Sequence, residues 1–161
     1  MKKRKIGYIG LVQNDFTTGK QRYLAYEDFV NSKKIKNISY FGDFKYKTGY
    51  EYGLQMLENE VDSVICATDN IALGLRKYLF EKSREDIIVS GVGNNDLLSF
   101  LYRDHITVDF LYRESGEYAG KLMLEKMKRD NEVLKNIINN KKVFKSKLVV
   151  NGKVINDRKK N

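Results

Sequence analysis

Three short polar stretches hold most of the side chains in this sequence that are suited to meeting a small polar molecule. Thr68, Asp69 and Asn70 stand between an apolar run, Val61 to Cys66, and a helical pattern in which Ile71, Ala72, Leu75, Tyr78 and Leu79 share one face. The stretch Val12 to Lys20, VQNDFTTGK, brings Asp15, Thr17, Thr18, Gly19 and Lys20 to the start of another helix, with Arg22 one turn on. A third corner, Gly91-Val92-Gly93-Asn94-Asn95-Asp96, adds amides and a carboxylate. Hydroxyls, carboxylates and amides suit sugar hydroxyl groups, and a guanidinium can grip vicinal hydroxyls, a carboxylate or a phosphate with two parallel bonds. Plainer roles are open to the same residues. Thr68 and Asp69 serve as helix caps, Arg22 as a surface ion pair, and Gly93-Asn94 as an ordinary turn.

Other chemistries are excluded by residue type and spacing. A Walker phosphate loop needs a glycine five residues before its Gly-Lys pair and a hydroxyl residue after it, but those positions hold Asn14 and Gln21. There is no nucleophile elbow, and no serine or cysteine has an evident histidine base, so catalysis is not expected. His105 is the only histidine and Cys66 the only cysteine, so neither a metal site nor a cofactor is expected, and Cys66 reads as a small buried hydrophobe. The formal charge of +9 is scattered, densest at Lys2 to Lys5, Lys141 to Lys147 and Arg158 to Lys160. No zinc-finger spacing, helix-turn-helix or RNA-binding pattern accompanies it, so the excess reads as solvated surface. No run reaches the roughly 18 apolar residues of a membrane span, and the first ten residues lack the apolar stretch of a secretory signal, so a cytoplasmic protein without membrane contact is expected.

The elements that must position these corners alternate along the chain. Strand patterns at Ile6 to Leu11, Ile38 to Phe41, Val61 to Cys66, Ile87 to Val92 and Ile106 to Phe110 are separated by helical patterns at Lys20 to Asn31, Thr48 to Glu58, Ile71 to Leu79 and Leu97 to Leu101. This rhythm predicts an α/β fold, a parallel sheet with helices on both faces. In such sheets the loops leaving the carboxyl ends of strands line the ligand crevice, which places all three polar corners on one edge. A long amphipathic helix follows from Tyr112 to Lys128, with Tyr112, Ala119, Leu122, Met123 and Met127 on one face. Asp130 to Asn140 reads as a frayed helix end or loop. Lys142 to Val150 alternates weakly before an Asn151-Gly152 turn, and a disordered tail is expected over 151–161.

Read together, these blocks resemble the effector-binding part of the lactose-repressor-type (LacI/GalR) transcription regulators, in the branch that governs trehalose operons. The resemblance is carried by IGYIGLVQNDFTTGKQRYLAY from Ile6, VICATDNIALGLRKYL from Val64 and SGVGNNDLLSFLYRDHITVDFLYRESG from Ser90, continuing to about Lys128. The sequence departs from the family where Val-Gly-Phe-Asp-Asp is usual and Gly-Val-Gly-Asn-Asn stands instead. The resemblance implies a type I periplasmic-binding-protein-like fold. It places Asp15, Phe16, Thr17, Thr18 and Arg22 in an effector cleft, with Thr68 and Asn70 on the next corner, Asn94 beyond, and Tyr112 at a crossover between two subdomains. It further implies a sugar or sugar-phosphate effector, trehalose 6-phosphate foremost, a homodimer, and operator DNA bound only through a headpiece in the full-length parent. Residues 1–110 would form the carboxyl-terminal subdomain. Residues 111–150 would form a crossover helix and return strand packed on the other subdomain, which leaves the apolar face of the helix without its usual cover. Two other functions suit the same rhythm: a periplasmic-type sugar-binding transport receptor, and a small flavodoxin-like or phosphotransfer domain. The second would want clustered acids after the first strand, where Asp15 stands alone.

Overall fold

The computed structural model describes residues 5–128 and 142–155. It contains one seven-stranded sheet in the order β2-β1-β3-β4-β5-β6-β7. Five strands are parallel: β1 (Ile6–Leu11), β2 (Ile38–Gly42), β3 (Ser63–Cys66), β4 (Ile88–Val92) and β5 (Ile106–Asp109). The helices between them are α1 (Arg22–Ser32), α2 (Tyr46–Glu51), α3 (Gly53–Glu58), α4 (Asp69–Glu81) and α5 (Asp96–Leu101), and α6 (Tyr112–Lys128) follows β5. The chain then returns as β6 (Lys147–Val150) and β7 (Lys153–Ile155), antiparallel about the Asn151-Gly152 turn.

Three expectations are corrected. The first helix does not begin at Lys20: a π-helical turn, Phe16–Gln21, precedes α1, because the Asp15 side chain caps its amides and the Lys20 amide reaches back five residues to the Asp15 carbonyl at 2.8 Å. The helix expected over Thr48 to Glu58 is two helices broken at Tyr52, whose hydroxyl donates to the Phe41 carbonyl at 2.8 Å while its ring stacks on Tyr40. The return strand joins this sheet beside β5, and residues 153–155 form β7 within the stretch expected as a tail. The segment 130–140 and the last residues, 156–161, lie outside the described residues.

One face of the sheet is closed over β3 and β4. Val64, Cys66, Val89, Thr107 and Val149 point to it, all at most 3% exposed, and Ile71, Ala72, Leu75 and Leu79 of α4 share one core with Val64, Cys66 and Val89, while Val154 of β7 on the same face is 47% exposed. Burial pushes the Cys66 thiol well above its ordinary range. Helix α2 lies on α4 backbone to backbone: a Cβ at Gly74 would overlap the Tyr46 carbonyl oxygen, and one at Gly49 the Ile71 carbonyl oxygen. Only glycine at both positions permits this approach.

Among the described residues, the helix that covers the opposite face is α1. Tyr26 stacks on Tyr8 at 5.0 Å, and its hydroxyl donates to the Ile6 carbonyl (2.9 Å) and accepts from the Ile38 amide (3.1 Å), joining β1 to β2. The row that begins at Tyr8 continues through Ile65, Ser90 and Ile106 by strand register. There the cover ends, and Ile88 and Leu148 on the same face are 49% and 45% exposed. Helix α6 keeps Met123, Leu124 and Met127 exposed.

Candidate functional site

The carboxyl ends of β1, β3, β4 and β5 share one edge of the sheet, and the sequence-derived residues are distributed along it. After β1, Asp15 turns back on its own chain. Its Oδ1 accepts from the amides of Thr18 and Gly19, the latter at 3.1 Å, and the Thr17 hydroxyl lies at 3.4 Å. These bonds, that from Gly19 foremost, hold the Asp15 carboxyl below the usual aspartate range. The turn leaves Phe16 64% exposed at the rim, with Thr17 exposed and Thr18 half-buried.

Arg22, half-buried at the start of α1, reaches across the edge. Its guanidinium donates to the Ala67 carbonyl at the end of β3, and its carbon lies 5.3 Å from the centroid of the Phe110 ring beyond β5. Phe110 meets Tyr112 edge to face at 5.9 Å, and Tyr112 is largely exposed. One arginine thus joins the ends of three strands, with two aromatic rings beside it. A carbonyl and a ring hold part of the guanidinium while its remaining N–H groups stay available, an arrangement that pre-orients a donor for a hydroxyl or an anion.

The second corner splits in role. Thr68 caps α4 by accepting from the Ile71 amide at 3.3 Å, and Asn70 is exposed in the first turn. Asp69 points inward and is 4% exposed, so it does not face solvent along this edge. At the third corner Asn94 has φ +54° and donates from Nδ2 to Asp109 Oδ2 at 3.2 Å, while Asn95 caps α5. The structure therefore brings Arg22 and Tyr112 together through Phe110. The carboxylate of Asp15, the hydroxyl of Thr68 and the amide of Asn94 are engaged locally.

Sequence reasoning missed Phe110, the Ala67 carbonyl and the inward turn of Asp69. Phe110 stands inside the block ITVDF that precedes Tyr112, so an aromatic residue at a strand end was the available signal. A cavity of about 460 Å³ lies at the opposite, amino edge of the sheet, lined by Lys5, Lys34, Ile35, Lys36, Ile38, Glu58 and Asn59, away from all the candidate residues. Among the described residues no His, Cys, Asp and Glu cluster could hold a metal ion, and no helix is long and apolar enough to cross a membrane.

Comparison with known proteins follows the same lines. The periplasmic binding protein-like domain family matches residues 2–143. The HTH-type transcriptional regulator TreR of Salmonella typhimurium is 35% identical over 124 residues, which are 77% of this chain and 39% of that protein. TreR of Escherichia coli is 37% identical over 117 residues, 73% of this chain and 37% of that protein. The solved trehalose repressor from Escherichia coli superposes with a TM-score of 0.69 at 36% identity, covering 73% of this chain and 46% of that one. The chain spans about two fifths of the length of these curated relatives. It belongs to the periplasmic binding protein-like domain family, in the form carried by lactose-repressor-type transcription regulators.

Proposed function

We propose that this chain is the effector-binding portion of a transcriptional repressor of a sugar-utilisation operon, acting by ligand recognition rather than catalysis, and that its effector is a sugar or sugar phosphate, trehalose 6-phosphate foremost. The observation that carries this reading is Arg22 bound to the Ala67 carbonyl and set over Phe110. A guanidinium beside exposed aromatic rings offers donors to hydroxyl or phosphate oxygens and apolar faces to the C–H surface of a pyranose. Phe16, Thr17, Thr18, Asn70 and Tyr112 form the rim of the same edge, and Asp15, Thr68 and Asn94 hold its corners in shape. A single wall of this kind buries one side of a ligand, and the second wall belongs to the remainder of a longer polypeptide of the relatives' length. Closure of two such walls around the effector would shift the regulator between its states on operator DNA. A cytoplasmic location follows from that role.

Similarity to the TreR regulators supports this reading over a transport receptor of the same fold. The test is calorimetric titration with trehalose 6-phosphate, against trehalose, sucrose and glucose 6-phosphate, on the chain and on a polypeptide of the relatives' full length. Selective saturable heat with the first is expected in the longer protein, and equal response to all four would sink the assignment. Arg22→Ala should weaken affinity there by about tenfold or more, the loss of one charge-assisted hydrogen bond, while the melting temperature moves little.

The partner within the regulator is a second copy. Leu97, Phe100 and Leu101 form an apolar patch on α5, with Phe100 83% exposed, that suits a symmetric contact. Sedimentation velocity should give a dimer for the full-length protein and a monomer for its Phe100→Glu variant. A dimer unaffected by the substitution would place the contact elsewhere.

A further inference from the structure

Asp69 is a buried carboxylate on this edge of the sheet, hydrogen-bonded to two other elements, and it does not face solvent there. Its Oδ1 and Oδ2 accept from the Thr107 hydroxyl at 2.9 and 3.1 Å, and Oδ2 also accepts from the Asn95 amide at 2.7 Å. The Nε2 of wholly buried His105 lies 3.3 Å from Oδ1. Gly91 makes the approach possible, since a Cβ there would overlap Oδ1. The chain of bonds does not end at Thr107. Its oxygen accepts from the Asn94 amide at 3.1 Å, Asn94 Nδ2 donates to Asp109 Oδ2 at 3.2 Å, and Asp109 Oδ1 accepts from the Leu111 amide at 2.7 Å.

Both joints held by this chain are backbone outliers. Asn94 has φ +54° and Leu111 φ +57°. Asparagine tolerates that region, but for a branched leucine it is strained and persists only where its surroundings hold it. Leu111 is 9% exposed, and its carbonyl accepts from the Ser115 amide at 2.9 Å in the first turn of α6, so its conformation sets the direction in which α6 leaves the sheet.

We propose that the hydrogen-bonded chain Asp69–Thr107–Asn94–Asp109–Leu111 is a coupling element, through which the corner after β3 fixes the direction of α6. Asp69 is a positioning residue within it, holding the corners that carry Thr68, Asn70 and Asn94 as one unit. The purpose of this coupling rests on the effector reading above, because it would carry a change at the ligand edge into the helix that crosses toward the second wall. The coupling itself needs no ligand. Its failure and the failure of the sugar assignment are therefore separable.

The test is backbone amide exchange, followed by NMR in the full 161-residue chain. Asp69→Asn replaces one acceptor oxygen by a donor, so it loses either the Asn95 bond or the shorter of the two Thr107 contacts and weakens the charge that holds both. Exchange at Asn95, Asn94 and, across the whole chain of bonds, Leu111 should accelerate about tenfold or more, while the Leu75 amide in the core of α4 changes little. Asn94→Gly keeps the positive φ and removes the side-chain bond to Asp109. It should release Leu111 and broaden the orientation of α6 in residual dipolar couplings, with Asn95 still protected. Combining Asn94→Gly with Asp109→Asn should add little to either alone. Acceleration confined to Asn95 in the first variant, an unmoved Leu111 in the second, or a rise shared equally by Leu75 would each overturn the coupling.

Discussion

The two faces of the sheet are built from the same kinds of residues and end in different states. On the α4 face, Val64, Cys66 and Val89 disappear beneath a helix that is itself locked against α2 through Gly49 and Gly74. On the α1 face, cover stops at Tyr8 and Tyr26, and Ile88 and Leu148 continue the sheet into solvent. A strand's alternating pattern says which residues share a face. It does not say whether a helix lies over that face. The closed side is therefore where this chain's own stability resides, and the open side is a surface whose contribution depends on what covers it.

The contrast is sharpest at the glycine contact. Gly74→Ala would press a methyl group into the Tyr46 carbonyl, and because both partners are backbone the helices must separate, costing about 3 kcal/mol or more in urea denaturation. A loss below about 1 kcal/mol would mean that α2 and α4 are not in backbone contact. Ile88→Ser on the open face should change stability by only about 0.5 kcal/mol, since half of the side chain is already hydrated. A cost of 2 kcal/mol or more, in the range of roughly 2–5 for truncating a buried aliphatic residue, would show that something covers this face in solution.

The smallest effect concerns the head of α1, the helix that covers the open face. The Asp15 carboxyl is held below the ordinary aspartate value of about 3.9 by the Gly19 and Thr18 amides. A depressed folded value means that its contribution is complete above the ordinary value and is lost as pH falls through the depressed one. Acidification should therefore loosen the Phe16–Gln21 turn before the α4 face responds, visible as faster exchange of the Gly19 amide relative to Leu75. Asp15→Asn should flatten that pH dependence. Persistence of the pH dependence in Asp15→Asn would assign it to another group.

Much of this was legible in the sequence because it is local. The five parallel strands follow from apolar runs, α4 from one helical face, and the shared edge of the polar corners from the alternation of strand and helix. The link from Arg22 to Ala67 and Phe110 was not legible, because it joins residues distant in the chain and depends on strand order. Nor was the division of labour within Thr68-Asp69-Asn70. All three are polar, and which one turns inward is decided by Thr107 and Asn95 on other elements. The π-helical turn escaped for a related reason: its start is set by a side-chain cap at Asp15, while apolar spacing begins only at α1.

Cys66 gives the molecule a built-in clock. It is the only cysteine, it lies fully buried in β3 beneath α4, and its burial disfavours the reactive thiolate. A thiol reagent can therefore modify the native chain only during opening of the closed face, so at reagent concentrations where modification outpaces reclosing the labelling rate measures how often that face opens. The same inertness means that a second cysteine, introduced on α6 or at the rim, would accept a fluorophore selectively without removing the natural one.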